Sequence, residues 1–195
     1  MSASAISLGV AAAICCGSAA FGGQSGSEPT LHAVRQVVFC CQTLERLDVF
    51  NGATLSSWQY NTLGLYHHAL TVHGDRAVSI NSASAVRKVS TMHFANGART
   101  ETPLIGVPGL DSIHSLVSEP STGALYLAGR WDLYTLNPST GQGTLVAPFT
   151  GSPYSWESVT AVDMDSTGTV YATGREDSAH RYAVYTLRLA TAQLT

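Results

Sequence analysis

Charged residues are scarce in this chain of 195 residues: they make up 12% of it, half of the ~25% that is typical of globular proteins. Lys and Arg number 10 against 13 Asp and Glu, which gives a formal net charge of -3 at pH 7. No basic cluster is larger than Arg87-Lys88. Nucleic-acid grooves need a concentrated basic surface, so nucleic acid is excluded as a partner. The low charge also excludes a charge-rich disordered chain and a coiled coil.

Hydrophobic runs that could cross a bilayer, which takes ~20 residues, are also missing, so no membrane span is predicted. The apolar run ISLGVAAAICC at residues 6–16 has the length of the hydrophobic region of a secretory signal peptide. Small residues follow it. Residues 1–22 are therefore predicted to be a signal peptide cleaved after Ala20 or Gly22, although no Lys or Arg precedes the run. The alternative is a buried N-terminal strand or helix.

Residues 23–30 are rich in Gly and Ser and are predicted to be a flexible linker. The mature protein is then expected to be secreted, periplasmic or attached to the cell surface.

Cysteine is too rare to build a disulfide scaffold. Removal of the predicted signal peptide would leave only Cys40 and Cys41. Adjacent Cα atoms lie ~3.8 Å apart, closer than ordinary disulfide geometry allows. We therefore expect two thiols that pack as small hydrophobes, or one that pairs with another chain. Sequence signatures of serine nucleophiles, zinc proteases, phosphate loops and dinucleotide sites are missing as well, so no cofactor and no metal is predicted.

An internal repeat is the strongest positive signal in the sequence. Leu70, Leu116 and Val162 follow one another at a constant step of 46 residues. Three further pairs stand 45 residues apart: Gly123 and Gly168, Tyr126 and Tyr171, Gly129 and Gly174. The segment Tyr134-Thr135-Leu136 also returns as Tyr185-Thr186-Leu187. A period of 40–50 residues points to a solenoid, a propeller or another repeat array.

Short β-branched or aromatic runs fill each repeat, and turn clusters such as Pro120-Ser121-Thr122-Gly123 separate them. Pro presets φ and Gly accepts a positive φ, so these clusters predict hairpin turns. Gly52, Gly97 and Gly141 recur after strand-like runs at steps of 45 and 44, and Ala192 takes the fourth place. Four strands in ~45 residues correspond to one blade of a β-propeller.

We therefore predict an all-β protein, a β-propeller of about four blades. The blades are expected at residues 31–65, 66–110, 111–156 and 157–195. The first blade lacks a convincing first strand, and the final strand of the last blade is expected to be missing after Thr195. A strand near Thr30–Val34 would complete the last blade and close a four-bladed ring. The favoured alternative is an incomplete propeller or a fragment of a larger one.

One segment favours a helix instead. Leu31, Val34, Val38 and Cys41 have the spacing of a helical stripe, which predicts a short helix over residues 30–41. Otherwise, residues 35–41 form the second strand of the first blade.

The segments TGALYLAG with LYTLNPSTGQGTLV, and STGTVYATG with VYTLRLATAQL, resemble β-propeller repeats of the quinoprotein-like and YVTN/NHL-like kind. The resemblance covers residues 110–195 clearly and residues 44–109 more faintly. It implies the blade fold and no particular activity, because propellers carry lyases, hydrolases, dehydrogenases and binding modules.

The first strand of each blade lines the axis of a propeller, and the repeat places His68, His114 and Thr160 at equivalent positions on three such strands. Two histidines at one depth would bind a metal or act as acid and base. His67 and His73 are expected to add further nitrogens nearby. The alternative is that these are hydrogen-bonded structural histidines, because no third ligand is fixed.

Aromatic residues form a second candidate site. Tyr154 and Trp156 belong to a connection between two blades, and such loops build binding faces. With Trp58, Tyr60 and Trp131 they would form a stacking surface for sugars or peptides. Packing of these rings between blades is the alternative.

Asp163 and Asp165 stand just before Gly168 and offer two carboxylates to a calcium ion. The EF-hand pattern and a third acidic residue are missing. Capping of a tight turn is therefore the expected role of these aspartates.

The function predicted from these observations is that of a secreted or periplasmic propeller that binds a protein or carbohydrate and catalyses no reaction. Its candidate ligand-binding residues are His68, His114, Tyr154 and Trp156. The alternative is a channel-centred, metal-dependent lyase or hydrolase that acts on extracellular carbohydrates or lactones. Self-association through open sheet edges is also predicted.

Overall fold

The computed structural model describes residues 19–22, 30–37, 41–48, 54–60, 67–81, 86–108, 113–151, 158–165, 167–175 and 182–195. Up to residue 68, and at His114, the description is of the backbone alone. Within these ranges every regular element is a β-strand, which confirms the all-β prediction. The described residues contain no helix that is long and apolar enough to span a membrane.

In the described part of the chain, sixteen strands form four sheets, each a simple antiparallel meander of four consecutive strands. The first sheet holds β1 (Ala19–Gly22), β2 (Thr30–Val37), β3 (Cys41–Asp48) and β4 (Thr54–Tyr60). The second holds β5 (His67–His73), β6 (Arg76–Asn81), β7 (Lys88–His93) and β8 (Arg99–Pro103). The third holds β9 (Ile113–Glu119), β10 (Ala124–Gly129), β11 (Asp132–Asn137) and β12 (Gln142–Pro148). The fourth holds β13 (Ser158–Met164), β14 (Val170–Arg175), β15 (Tyr182–Arg188) and β16 (Gln193–Leu194).

The first strands of successive sheets contact one another in series: β1 contacts β5, β5 contacts β9, and β9 contacts β13. Side chains bond two of these strand pairs together. The Nδ1 atom of His73 lies 2.8 Å from the hydroxyl of Ser118. The amide of Val162 donates to the hydroxyl of Ser115 at 2.9 Å. The sheets therefore fan out from a shared inner row of strands, as the blades of a propeller do.

The first sheet corrects two predictions. Residues 30–37 form a strand, so the predicted helix over 30–41 is wrong. This strand pairs with β1 and β3 as the second strand of the first sheet, so Thr30–Val34 does not complete the last sheet. Apolar positions in a short segment do not by themselves distinguish a helix from a strand, which is why periodicity alone misled us.

The first and last strands of the chain are both short. β1 (Ala19–Gly22) lies inside the predicted signal peptide and pairs with β2. The fourth sheet does possess a last strand, the two-residue β16, so the expectation that it is missing was wrong.

Turn glycines hold the outer hairpins in the conformation that the repeat predicts. Gly97 and Gly141 have φ of 68° and 72° in the turns before β8 and β12. Ala192 has φ of 53° in the turn before β16, so it adopts the left-handed conformation at the fourth place of the repeat. An alanine pays a steric cost there that glycine avoids.

Hydrophobic side chains fill the spaces between neighbouring sheets. We call the side of a sheet that packs on the next sheet its leading face, and the opposite side its trailing face. Val78, Ile80 and Val89 of the leading face of the second sheet form one buried cluster with Leu127 and Tyr134 of the third. A second cluster joins the leading face of the third sheet to the trailing face of the fourth: Val117, Ala128, Leu133, Val162, Val170, Ala172, Tyr185 and Leu187.

Candidate functional site

One end of the sheets holds the backbone positions of His68 and His114. In the second to fourth sheets, the first strand begins and the second strand ends at this end. The fourth strand of one sheet also ends at the end where the first strand of the next sheet begins. We call it the upper end.

A β-bulge interrupts the first strand of the second, third and fourth sheets at the upper end, at one and the same position of the repeat. His67 pairs with Asn81 and Ala69 with Ile80, so His68 has no partner of its own. The same shift of register falls on His114 and on Thr160. A bulge leaves one residue unpaired and redirects its side chain, and bulges are common next to active sites. The backbone therefore places His68, His114 and Thr160 at equivalent positions of the repeat, as predicted.

The geometry at the bulges is described in full only for Thr160. Its hydroxyl lies 3.0 Å from the hydroxyl and 3.2 Å from the carbonyl oxygen of Thr173 on the neighbouring strand. Within the side chains that the structure describes, no group of three His, Cys, Asp or Glu residues is arranged to hold a metal ion. Metal binding or acid–base chemistry by the His68 and His114 rings therefore stays a prediction.

His73 does not belong to this group. It ends the strand that His67 begins, so ~20 Å of extended chain separates the two residues. Its ring instead bonds Ser118 of the next sheet. The expectation that His73 adds a nitrogen near His68 is therefore wrong, because successive residues of a strand lead away from the upper end.

Tyr154 and Trp156, the predicted aromatic pair, lie outside the described residues. Their connection starts after β12, which ends at the upper end, and leads to β13, which begins there.

A small pocket of about 220 Å³ lies at the upper end beside the bulge in β9. It is bordered by the start of β9, by the end of β10 and by the two-residue connection to β11. The residues around it are Val107, Pro108, Ile113, Gly129, Arg130, Trp131, Asp132 and Tyr134. Aromatic, cationic, carboxylate and phenolic groups thus meet around one small concavity.

Trp131 is the exposed aromatic residue of this pocket, with 47% of its surface accessible. Hydrogen bonds hold its connection in place on both sides. The carbonyl oxygen of Arg130 accepts from the amide of Val159 at 3.0 Å, and that of Trp131 accepts from the amide of Phe149 at 2.8 Å. The indole is therefore presented to solvent by a backbone that β13 and the residue after β12 hold in place.

Electrostatics around the pocket are mixed. The guanidinium of Arg130 lies 4.8 Å from the centre of the Trp131 ring, a cation–π arrangement. The Tyr134 hydroxyl donates to the carboxylate of Asp132 at 3.4 Å. Burial, reinforced by the negative charge of Asp132 and by that hydrogen bond, raises the pKa of the Tyr134 phenol. The phenol therefore stays protonated and can donate at neutral pH.

Sequence reasoning considered Trp131 only as one ring of a wider aromatic set, and it missed Arg130, Asp132 and Tyr134 as neighbours of a pocket. A usable signal was present. Only two residues connect Gly129 to Asp132, and a connection this short between two paired strands leaves a large side chain little room to fold back into the core.

A wider groove of about 810 Å³ lies at the opposite end of the second and third sheets. Turn residues border it, among them Asp75, Arg76, Pro138 and Ser139. The carboxylate of Asp75 is shared there by Arg76 and His93, each at 3.3 Å. No bulge and no exposed aromatic ring accompanies this groove among its bordering residues, so it is the weaker candidate.

Asp165 caps a turn, as expected, rather than forming a calcium loop. Its Oδ1 atom accepts hydrogen bonds from the amides of Thr167 and Thr169, both at 2.9 Å, and from the Thr167 hydroxyl at 2.6 Å. The hydroxyl bond of Thr167 is the main cause that lowers the pKa of Asp165, and the amides of Thr169 and Thr167 add to it.

The sequence matches no protein-family model and no curated protein. Solved structures with a similar fold exist, and three of them illustrate the likeness. The Dos1 propeller is 10% identical with a TM-score of 0.51, over 90% of this chain and 45% of that one. A chain of the nidogen–laminin complex matches at 12% identity and a TM-score of 0.56, over 85% of this chain and 57% of that one. A gluconolactonase from Xanthomonas campestris matches at 14% identity and a TM-score of 0.53, over 85% of this chain and 56% of that one.

This chain thus spans about half the length of the solved structures that it resembles. At such low identity the likeness concerns the fold alone, and it agrees with the meander sheets, the serial contacts of the inner strands and the repeat in the sequence. The chain is therefore a β-propeller repeat protein.

Proposed function

We propose that this chain is a binding module without catalytic activity, and that its ligand docks at the upper end on Trp131. The single observation that supports this best is a tryptophan with nearly half of its surface exposed on a connection fixed by two backbone hydrogen bonds. Rigid presentation of an aromatic side chain lowers the entropy lost on binding. Loops on a rigid scaffold are the usual place for recognition.

The chemistry around Trp131 suits a carbohydrate or a polar peptide. An indole face stacks on the apolar side of a sugar ring or on an extended peptide. Arg130 and Asp132 supply a donor set and an acceptor at the same rim. The connection that carries Tyr154 and Trp156 begins near Phe149, whose amide bonds Trp131, and in this proposal it extends the same surface.

The test is a binding screen followed by one substitution. The purified chain is applied to an array of oligosaccharides and to a library of short peptides, and each hit is titrated by calorimetry. Trp131→Ala is expected to weaken binding at least ~30-fold, the effect of losing one central aromatic contact. Leu145→Ala is the matched control, because Leu145 is also about half exposed but lies on the outer strand β12.

Unchanged binding by Trp131→Ala would refute the placement of the ligand. Equal losses in Trp131→Ala and Leu145→Ala would show a general effect on the fold rather than a contact with the ligand.

A second candidate function, a channel-centred metal-dependent lyase or hydrolase for carbohydrates or lactones, is favoured by one observation. The bulges place His68 and His114 at the same position on neighbouring inner strands. Elemental analysis of the purified chain tests it. Stoichiometric metal that is lost in the double variant His68→Ala/His114→Ala, and retained in the control His93→Ala, would support it. Metal-free protein whose stability a chelator does not change would reject it.

We also propose export from the cytoplasm, on the basis of the apolar run at residues 6–16, which lies outside the described residues. The intact mass of the protein recovered from its native compartment tests this. A chain beginning at residue 21 or 23 supports cleavage. A chain that retains all of residues 19–22 supports the N-terminal strand that pairs with β2 in the structure.

A further inference from the structure

The leading face of the fourth sheet carries large side chains that no other part of the described chain covers. Val184 is 68% exposed, Tyr182 is 67% exposed and Tyr171 is 40% exposed. They lie together on one side of the sheet, because Tyr171 pairs with Thr186, Thr173 with Val184 and Arg175 with Tyr182. A cluster of exposed apolar and aromatic residues on one flat face is typical of an interaction surface.

The repeat identifies what kind of surface this is. In the second sheet the cross-strand pair Ile80–Val89 lies in the core between sheets, and in the third sheet Ala128–Leu133 does so. The pair Thr173–Val184 has the same place in the fourth sheet, next to the inner-strand bulge.

A tyrosine of the third sheet and its counterpart in the fourth sheet show the same correspondence. Tyr126 of the third sheet packs against the cluster that joins the third sheet to the fourth. Its counterpart Tyr171 is exposed on the fourth sheet, and each tyrosine pairs with the matching threonine, Thr135 or Thr186. The leading face of the fourth sheet therefore has the same arrangement as the leading faces of the second and third sheets, which are each covered by the next sheet.

A leading face packs on a trailing face, so the complementary surface is the trailing face of another sheet. Among the described sheets, the first is the one that no sheet precedes, and β1 contacts β5 on its leading side. β13 makes no contact with β1 comparable to that between β9 and β13. Among the described strands, the fourth sheet thus lacks a neighbouring sheet on its leading side, and the first sheet lacks one on its trailing side.

We propose that a second copy of this chain covers this face. The first sheet of the second copy packs on the fourth sheet of the first copy, and the first sheet of the first copy packs on the fourth sheet of the second copy. Two such junctions related by a twofold axis close eight sheets into a ring, within the usual range of four to eight blades. The chain spans about half of the solved structures that it resembles, so their length exceeds what the four sheets of one copy supply. This inference is independent of the ligand site at Trp131.

The experiment measures the mass of the 195-residue chain in solution by light scattering and sedimentation equilibrium over a wide range of concentration. A species of twice the chain mass of 20.5 kDa is expected. Val184→Asp is expected to raise the dissociation constant of the dimer ~100-fold or more, because burial of an unpaired carboxylate is strongly unfavourable. Since Val184 is exposed in the single chain, the substitution leaves the fold intact.

Leu145→Asp is the matched control and is expected to leave the dimer unchanged, because Leu145 is 52% exposed on the outer strand of an interior sheet. Hydroxyl-radical footprinting supplies a second measurement. Tyr171 and Tyr182 are expected to be protected in the dimer and oxidised in Val184→Asp.

A chain that stays monomeric at high concentration, with both tyrosines reactive, would overturn the proposal. So would a dimer that Val184→Asp does not weaken. A native polypeptide with additional sheets that cover Val184 would assign the face to the same chain instead of to a second copy.

Discussion

Leu133 and Val184 occupy the same place in neighbouring sheets, yet Leu133 has 0% of its surface exposed and Val184 has 68%. Both lie on the third strand of their sheet, opposite Ala128 and Thr173 of the second strand. The difference is that the fourth sheet covers Leu133, whereas nothing in the described chain covers Val184.

The first prediction uses this pair. Leu133→Ala is expected to lower the free energy of unfolding by about 2–5 kcal/mol, because it leaves a cavity between two sheets. Val184→Ala in dilute protein is expected to change it by no more than ~0.5 kcal/mol, as exposed substitutions do. Urea denaturation followed by circular dichroism measures both. Similar losses in the two variants would contradict the assignment of the faces.

The second prediction separates backbone strain from steric overlap at two turn glycines. Gly123 and Gly141 have φ of 68° and 72°, but a Cβ atom at Gly123 would meet nothing within 4 Å. At Gly141 it would overlap the carbonyl oxygen of Pro103. Gly123→Ala is therefore expected to cost about 1 kcal/mol, the penalty of the left-handed conformation alone. Gly141→Ala is expected to cost clearly more.

The melting temperatures of both variants check this expectation. Equal losses for the two glycines would mean that the turn at Gly141 does not lie against the end of β8 as the structure shows.

The third prediction concerns alkaline pH. Burial and Asp132 raise the pKa of Tyr134 above the ordinary value of 10.0. A pKa that is higher in the folded than in the unfolded state contributes stability below the unfolded pKa, and this stability is lost as the pH rises through the folded pKa. Unfolding free energy is therefore expected to fall above pH ~10. Tyr134→Phe is expected to reduce that fall, as measured by urea titrations at increasing pH.

The control for this pH effect is Tyr182→Phe, because Tyr182 is largely exposed. The same reduction in both variants would show that the alkaline transition does not arise at Tyr134.

The fourth prediction concerns acidic pH and the turn at Asp165. Hydrogen bonds from Thr167 and Thr169 lower the pKa of this carboxylate. Its contribution to stability is therefore present above the ordinary value of 3.8 and is lost as the pH falls through the lowered value. Asp165→Ala is expected to lower the melting temperature at pH 7, and the difference from the unsubstituted chain is expected to shrink at strongly acidic pH. A difference that stays constant with pH would argue against a charged cap.

Much of the fold was predictable because propeller blades repeat their turns as well as their strands. The constant step from Leu70 to Leu116 and Val162 predicted the equivalence of the inner strands, and the bulges keep that register in the structure. The first sheet was harder to predict. Its residues show few marks of the repeat, and an apolar stripe in β2 matches helical spacing as well as a strand.

The candidate site was less predictable. Trp131 was visible as an aromatic residue in the sequence. Its exposure, however, depends on how Val159 of β13 and Phe149, the residue after β12, bond its connection. Equally, Leu133 and Val184 are both apolar residues of the third strand, and no local pattern tells which of them is covered.

The order of residues by itself determined the strands, the turns and the period, because backbone preferences and side-chain alternation act over a few neighbouring positions. Only the tertiary structure decided which end holds the pocket, which indole reaches solvent and which sheet face lacks a partner. Burial is a property of packing between sheets that are ~45 residues apart in the chain, and it depends on how many sheets assemble around the axis.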